Sequence, residues 1–328
     1  MTKRSQERRN EVTVPAPSAD GISISVMIPC FNHEKYIAES IESVLEQQRQ
    51  PCEIVVIDDA STDQSASVVQ AYCQRFPTIR FQRNARNKGA LRTVNDALPF
   101  LRGTHCLLLA SDDKILPGYL EAAHEALNRH PDVGMFLSHI VLFKDGEPPF
   151  LPEQFNDRAR LIPSAEAGGF LRGKYPHGMS VYNLALLRKE GGFDERLRWH
   201  ADWWLNWVVC FRYGLCYSPR VFGAVRVVKG SFSSIKPAVE YGQVVDIIVD
   251  RLCAPENRAL RSQFKQANAL VTLGPRFARV FLHRRAALKL VSVPLLAGLG
   301  RLWLVAILAR VLPPRAKSWI KGSRWWRR

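Results

Sequence analysis

Three runs of the chain, ISISVMIP (22–29), EIVVID (53–58) and THCLLLAS (104–111), are mostly apolar and stop at a polar or acidic cluster. A strand that is apolar at nearly every position has both faces covered. That demands a parallel sheet between two helical layers and excludes a half-solvated hairpin. The segments between these runs have helical spacing. HEKYIAESIESVLEQQ (33–48) places Ile37, Ile41, Val44 and Leu45 on one face, and STDQSASVVQAYCQRF (61–76), KGALRTVNDALPFL (88–101) and LPGYLEAAHEALNRH (116–130) follow. Ser61 or Thr62 is the expected N-cap of the second helix. TIRFQRN (78–84) and VGMFLSHIVLF (133–143) read as further strands. The alternation predicts an α/β fold with a mostly parallel central sheet flanked by helices.

Further along, 144–175 reads as irregular and MSVYNLALLRK (179–189) as a strand. ADWWLNWVVCFRYG (201–214) reads as a helix ending at Gly214, LCYSPRVFGAVRV (215–227) as a strand, and 238–270 as helical. In open parallel sheets ligands bind beyond the carboxyl ends of the strands. Four polar clusters are therefore expected along one edge: Pro29 to Asn32, Asp58-Asp59, Asn84 to Gly89, and Ser111-Asp112-Asp113.

Of Asp58 and Asp59, one is expected to cap the following helix, which leaves the other free at the strand end. For Asp112-Asp113 two readings stand. They cap the helix that begins near Leu116, or they hold a hard cation such as Mg2+ or Mn2+, which takes one or two protein carboxylates plus phosphate oxygens. There is no G-x-x-x-x-G-K-[ST] loop and no G-x-G-x-x-G after a strand to cradle phosphates.

The stretches SVMIPCFNHEKYIAESIESVLEQQ, EIVVIDDASTDQS, NARNKGALRTVNDAL and LLLASDD, in this order and spacing, resemble family 2 glycosyltransferases of the GT-A fold; the resemblance covers roughly residues 22–235. It implies a donor-binding turn at Pro29, Phe31 and Asn32, a base-reading Asp59, and donor contacts from Asn87, Gly89 and Asn95. It also implies a ribose contact at Asp112 and a metal ligand at Asp113. Many members carry another aspartate where this chain has Ala110. GGFDERLRWHADWWLNWVV matches the family stretch that ends in the catalytic base, here Asp202, preceded by Ala201 where most members have Glu. VRVVKGSFS matches a late loop in which Arg226 would bind the diphosphate, with Val228 in a usual histidine position and Lys229 beside it as a substitute charge. Trp199 is a candidate for stacking on a sugar, and His177 and His200 are candidates on the acceptor side. No Q-x-x-R-W sequence marks a processive synthase.

The resemblance implies a metal-dependent inverting transfer, with Mn2+ or Mg2+, from a nucleotide-sugar (a UDP-sugar) to a saccharide or lipid-linked acceptor in surface polysaccharide or glycolipid assembly. The rival class is a GT-A-like protein that binds a nucleotide or glycan without turnover. The expected organisation is a disordered lead (1–21), a nucleotide-sugar-binding half (22–143), an acceptor and catalytic half (144–237), a helical extension (238–283) and a basic, apolar tail (284–328).

The net charge of +16 has one location. Residues 1–256 hold 30 Lys+Arg and 30 Asp+Glu, and everything after Glu256 carries 16 Lys+Arg and no acid. Within that region LVSVPLLAGLGRLWLVAILA (290–309) contains a single charge, Arg301, with basic and Trp-rich flanks. Its length is about that of a bilayer core, yet Pro294, Gly298, Gly300 and Arg301 cluster near its middle. A monotopic in-plane or re-entrant anchor on an anionic membrane is expected ahead of a spanning helix, a helix docked on the catalytic domain, or nucleic-acid binding. Seven cysteines, an odd number without a C-x-x-C pair, predict free thiols in a reducing compartment. With no apolar core at the N-terminus to serve as a signal peptide, the expected location is the cytoplasmic face of the cell membrane.

Overall fold

The computed structural model describes residues 21–152, 158–176, 178–228, 238–274 and 285–301. The first half alternates as the sequence predicts: β1 (Ile24–Cys30), α1 (Ile37–Leu45), β2 (Glu53–Asp58), α2 (Ser65–Arg75), β3 (Ile79–Arg83), α3 (Ala90–Ala97), β4 (His105–Leu108), a two-residue β5 (Lys114–Ile115), α4 (Tyr119–Arg129) and β6 (Met135–Lys144). The second half has β7 (Glu147–Phe150), β8 (Arg160–Ile162), α5 (Ser164–Phe170), β9 (Met179–Asn183), α6 (Leu184–Lys189), α7 (Ala201–Tyr213), β10 (Leu215–Arg226), α8 (Ala238–Cys253) and α9 (Arg258–Gln266).

All ten strands form one sheet in the order β3-β2-β1-β4-β9-β6-β10-β5, with β7 on β6 and β8 on β10. The β1–β2, β1–β4, β2–β3 and β6–β10 pairs are parallel, whereas β9 is antiparallel to both β4 and β6. It follows that β1, β2, β3, β4, β6 and β10 all end at the same edge. The period of two along each strand explains the continuous apolar runs. Val26 and Ile28 of β1, with Ile54 and Val56 of β2, pack under α1, α2 and α4. Met27, Val55 and Ile57 point the other way, into a core shared with α3 and α5 to α9. Each fully buried Val or Ile contributes about 1.5–3 kcal/mol, so both faces of the sheet hold the helices firmly.

Three expectations are corrected. The strand over 179–189 stops at Asn183, whose Oδ1 accepts the Leu186 N–H (3.2 Å) and starts α6, burying Leu184 and Leu187 at helical spacing. The region 144–175 is not irregular among its described residues, since it supplies β7, β8 and α5. Ser61 and Thr62 do not cap α2. The helix begins at Ser65, whose N–H is received by Asp63 Oδ1 (2.9 Å). The helical stretch 238–270 is two helices broken at Pro255. All seven cysteines are free thiols.

Candidate active site

The turn after β1 is stitched to the turn after β2. Asn32, in the left-handed region at φ 54°, donates its N–H to Ser61 Oγ (2.9 Å) and accepts the Thr62 N–H on Oδ1 (2.8 Å). Phe31 beside it is exposed and Pro29 is half-buried. The two aspartates ending β2 have different duties. Asp58 is buried; it accepts Ser61 N–H and pairs with Arg83 Nε at 3.0 Å. Asp59 is buried too and faces the 84–89 turn, receiving Asn84 Nδ2 (2.8 Å), Lys88 N–H (2.9 Å) and Gly89 N–H (2.8 Å). Burial pushes the Asp59 carboxyl up, but these donors together with Thr93 outweigh it and hold the group below its ordinary range. Gly89, at φ 87°, lets the turn close, and exposed Asn87 accepts the same Gly89 N–H on its Oδ1 (2.9 Å). Asn95 is spoken for elsewhere: its amide both donates to Phe193 O (2.7 Å) and accepts Phe193 N–H (2.9 Å), clasping α3 to the Gly191-Gly192-Phe193 turn.

Asp112 and Asp113 follow β4, on the next strand along the edge. Asp113 N–H closes a turn onto Ala110 O (3.0 Å), and exposed Ala110 has no acid to offer. Neither aspartate caps α4, whose start at Tyr119 follows Gly118 in the left-handed region at φ 84°. Asp113 accepts the Arg226 N–H (2.8 Å) from the end of β10. Burial, and then the charge of Asp112, push the Asp113 carboxyl up to about 7 against the weaker pull of Arg226.

Arg226 itself is only 7 % exposed and its guanidinium is fully engaged. It donates to Asp112 O (3.2 Å), Glu39 Oε2 (2.9 Å) and Asp145, between the rings of Tyr36 and Phe143. Lys114 Nζ reaches the same Glu39 oxygen (2.7 Å). Arg226 thus braces the Asp112–Asp113 turn against α1 and the end of β6. The sequence reading missed Glu39, Asp145 and Tyr36, and also His33, whose Nδ1 lies 2.7 Å from Ser111 Oγ. Val228 is half-buried, and Lys229 lies outside the described residues.

Asp202 is carried by α7. The C-terminal end of α7 packs at the start of β6, where a Cβ on Gly134 would meet Val209 and Tyr213. Asp202 is exposed in the first turn, accepts the Trp203 N–H (2.7 Å), and its charge helps raise the nearby Tyr175 and Tyr182 phenols, which burial raises most. Trp203 and Trp207 are buried, as their shared face predicts. Trp199 is half-buried against the core and its Nε1 has no partner. His200 is buried, edge-on to Trp199, Trp203 and Tyr241, so the structure places it in the core and not on an acceptor surface. His177 lies outside the described residues. Arg198, two residues before His200, sits at φ 49°, ψ −125°, a conformation few side chains adopt, and pairs with Glu240 (3.0 Å).

Among the described residues no three His, Cys, Asp or Glu side chains converge on one point. A cation at Asp113 would therefore have at most two protein carboxylates. A cavity of about 520 Å³ is lined by Asn95, Phe193, Trp204 and Arg251, and none of Asp59, Asp113, Arg226 and Asp202 forms its wall. Its aromatic wall is already occupied, because Trp204 stacks on Phe264 and carries Arg251 on its ring.

Comparison with known proteins places the chain among glycosyltransferases in sequence and fold. The glycosyltransferase GlyG of Streptococcus pneumoniae is 29% identical over 31% of this chain and 34% of its own. The chain spans about a third to two thirds of the length of the curated relatives it matches. TarS of S. aureus, solved in complex with UDP-GlcNAc, superposes with a TM-score of 0.57 at 19% identity, over 88% of this chain and 92% of that one. The mannosyltransferase PcManGT from Pyrobaculum calidifontis, solved with GDP-Man and Mn2+, gives 0.54 at 19% identity, over 95% and 87%. The fold is of the GT-A type. A family model described as Glycosyl transferase family 2 matches residues 25–190. That span is about half of the chain and runs from β1 past both aspartate pairs to the end of α6, and on it rests the assignment: the chain belongs to glycosyl transferase family 2.

Proposed function

We propose that the chain transfers a sugar from a nucleotide-sugar donor, a UDP-sugar, to a hydroxyl of a saccharide or lipid-linked acceptor, with inversion, in surface polysaccharide or glycolipid assembly. The observation that carries this reading is the contrast between two carboxylates at one sheet edge. Asp59 is saturated with N–H donors, whereas Asp113 accepts the Arg226 N–H and is pushed up to about 7 by burial and then by the charge of Asp112. The donor's base would lie against Phe31, Asn32, Asn87 and the turn that Asp59 holds closed at Gly89. Its ribose would lie by Asp112.

Asp113, with Asp112 beside it, fits a Mn2+ or Mg2+ ion that takes its remaining ligands from the diphosphate. When bound, such an ion neutralises the phosphates and stabilises charge on the leaving nucleotide. Arg226 would keep the two aspartates in register and add its charge behind them. Asp202, exposed at the start of α7, would take the proton of the acceptor hydroxyl as it attacks the anomeric carbon. One base and one displacement give inversion. Trp199 is the proposed sugar-facing ring. The basic C-terminal region would hold the protein at the anionic, cytoplasmic face of a membrane.

A donor screen by thermal shift with Mn2+, followed by a transfer assay, tests this. Asp113→Ala should lose the metal-dependent part of donor binding. Asp202→Asn should keep donor binding and lose transfer by about 10²–10⁴-fold; transfer at the wild-type rate would place the base elsewhere. Donor binding without release of nucleotide from the donor, whether the sugar is offered an acceptor or water, would replace the enzyme by a binding protein.

A further inference from the structure

The segment 285–301 is two-faced. Residues 285–290 form a 3₁₀ turn and 293–301 a helix. Ala287, Leu290, Leu295 and Leu299 are buried in the core beside α8 and α9. On the outer side Val293 is 80 % exposed and Leu296 53 %, and Ala297 and Gly300 are exposed with them. The spacing i, i+3, i+4, i+7 makes these residues one stripe. Leu288, 68 % exposed, extends it, and exposed Lys289 and Arg301 flank its ends. The sequence that follows, 302–328, adds seven Lys or Arg and four Trp without an acid.

A chain of contacts links this stripe to Asp202. Asn268 Nδ2 donates to Pro294 O (3.3 Å), and Gly298 sits so close to Val271 that a Cβ would lie 2.7 Å from its methyl group. Thr272 Oγ1 accepts Trp203 Nε1–H (2.8 Å), and Trp203 N–H reaches Asp202 (2.7 Å). Through its inward side, the segment that carries the stripe is thus tied to the first turn of α7.

We propose that this stripe lies flat on an anionic lipid bilayer and so holds the domain at the surface where the hydroxyl of a lipid-linked saccharide is presented. An apolar face with cations at its ends, in a stretch of sequence that holds no acid after Glu256, matches acyl chains beneath anionic headgroups. It offers no acceptor side chain to a protein partner, and its apolar residues would gain nothing from nucleic acid. The docking face stands by itself; only the choice of acceptor rests on the glycosyl-transfer reading.

The full chain is sedimented with vesicles of phosphatidylcholine alone, or three parts phosphatidylcholine to one part phosphatidylglycerol. Wild type is expected to pellet with the anionic vesicles. Val293→Glu/Leu296→Glu should lower its partition coefficient about ten-fold, while Phe100→Glu, exposed on another part of the surface, should not. Melting curves check the fold of each variant, with Val293→Ser/Leu296→Ser replacing the glutamates if they destabilise. The proposal is overturned if wild type stays in solution, if the stripe variants bind as wild type does, or if light scattering shows a dimer that only those variants disrupt. Nucleotide release from a UDP-sugar, assayed without vesicles, judges the enzyme reading separately.

Discussion

Asp113 meets burial and a neighbouring carboxylate, which lift it from an ordinary 3.8 to about 7. Between those values the folded protein binds the proton that the unfolded chain has released. Stability therefore falls as pH rises through this window and stays lowered above it. Metal-free Asp113→Asn should melt a few degrees higher than wild type at pH 8 and converge with it near pH 4. Added Mn2+ should reverse the order at pH 8 by stabilising wild type alone; scanning calorimetry at both pH values reads this out. Arg226 works on the same turn. Arg226→Ala would leave Glu39 and Asp145 without their shared cation and free the Asp112 carbonyl, so the apparent affinity for Mn2+ should fall at least about ten-fold. Arg226→Lys should not restore it, because an ammonium cannot reproduce the fork between Tyr36 and Phe143.

At the scale of elements, the Asn95 clasp ties α3 to the turn before α7. Asn95→Ala strands a buried N–H and C=O of Phe193 and should cost about 1–3 kcal/mol. The affinity for UDP with Mn2+ should be unchanged, which a melt and a titration together would show. A large loss of affinity would instead return Asn95 to the donor. The sequence motif placed it there because spacing says which residues stand near a turn but not which way an amide faces. Strand ends were legible for a better reason. Strands buried on both faces are apolar throughout, so the first polar residue after each one marks the edge where Asn32, Asp59 and Asp113 lie. The short α6 was hidden because LALLRK is as apolar as a strand and only the Asn183 cap separates the two. Glu39 and Asp145 were hidden because an ion pair between distant elements leaves no periodic trace. His200 looked accessible beside Asp202, yet α8 covers it with Tyr241, and that packing comes from a helix forty residues on.

The whole molecule is organised by a single sheet. The expected nucleotide-binding and acceptor halves share it, since β9 is hydrogen-bonded to β4 on one side and to β6 on the other. Asp59 hangs from β2, Asp113 from β4, Arg226 from β10, and Asp202 from a helix packed across the start of β6. A donor held at that edge would touch groups carried by strands from both halves. Its binding free energy should therefore be felt by the sheet as one unit and not by one half alone. At a hundred times its dissociation constant a ligand adds about 2.7 kcal/mol, which for a chain of 328 residues is about 4 °C in Tm. Calorimetry with a UDP-sugar and Mn2+ should show one transition displaced upward by that amount. Two transitions, of which only one moves, would mean that β9 does not couple the halves and that donor and acceptor sites open independently.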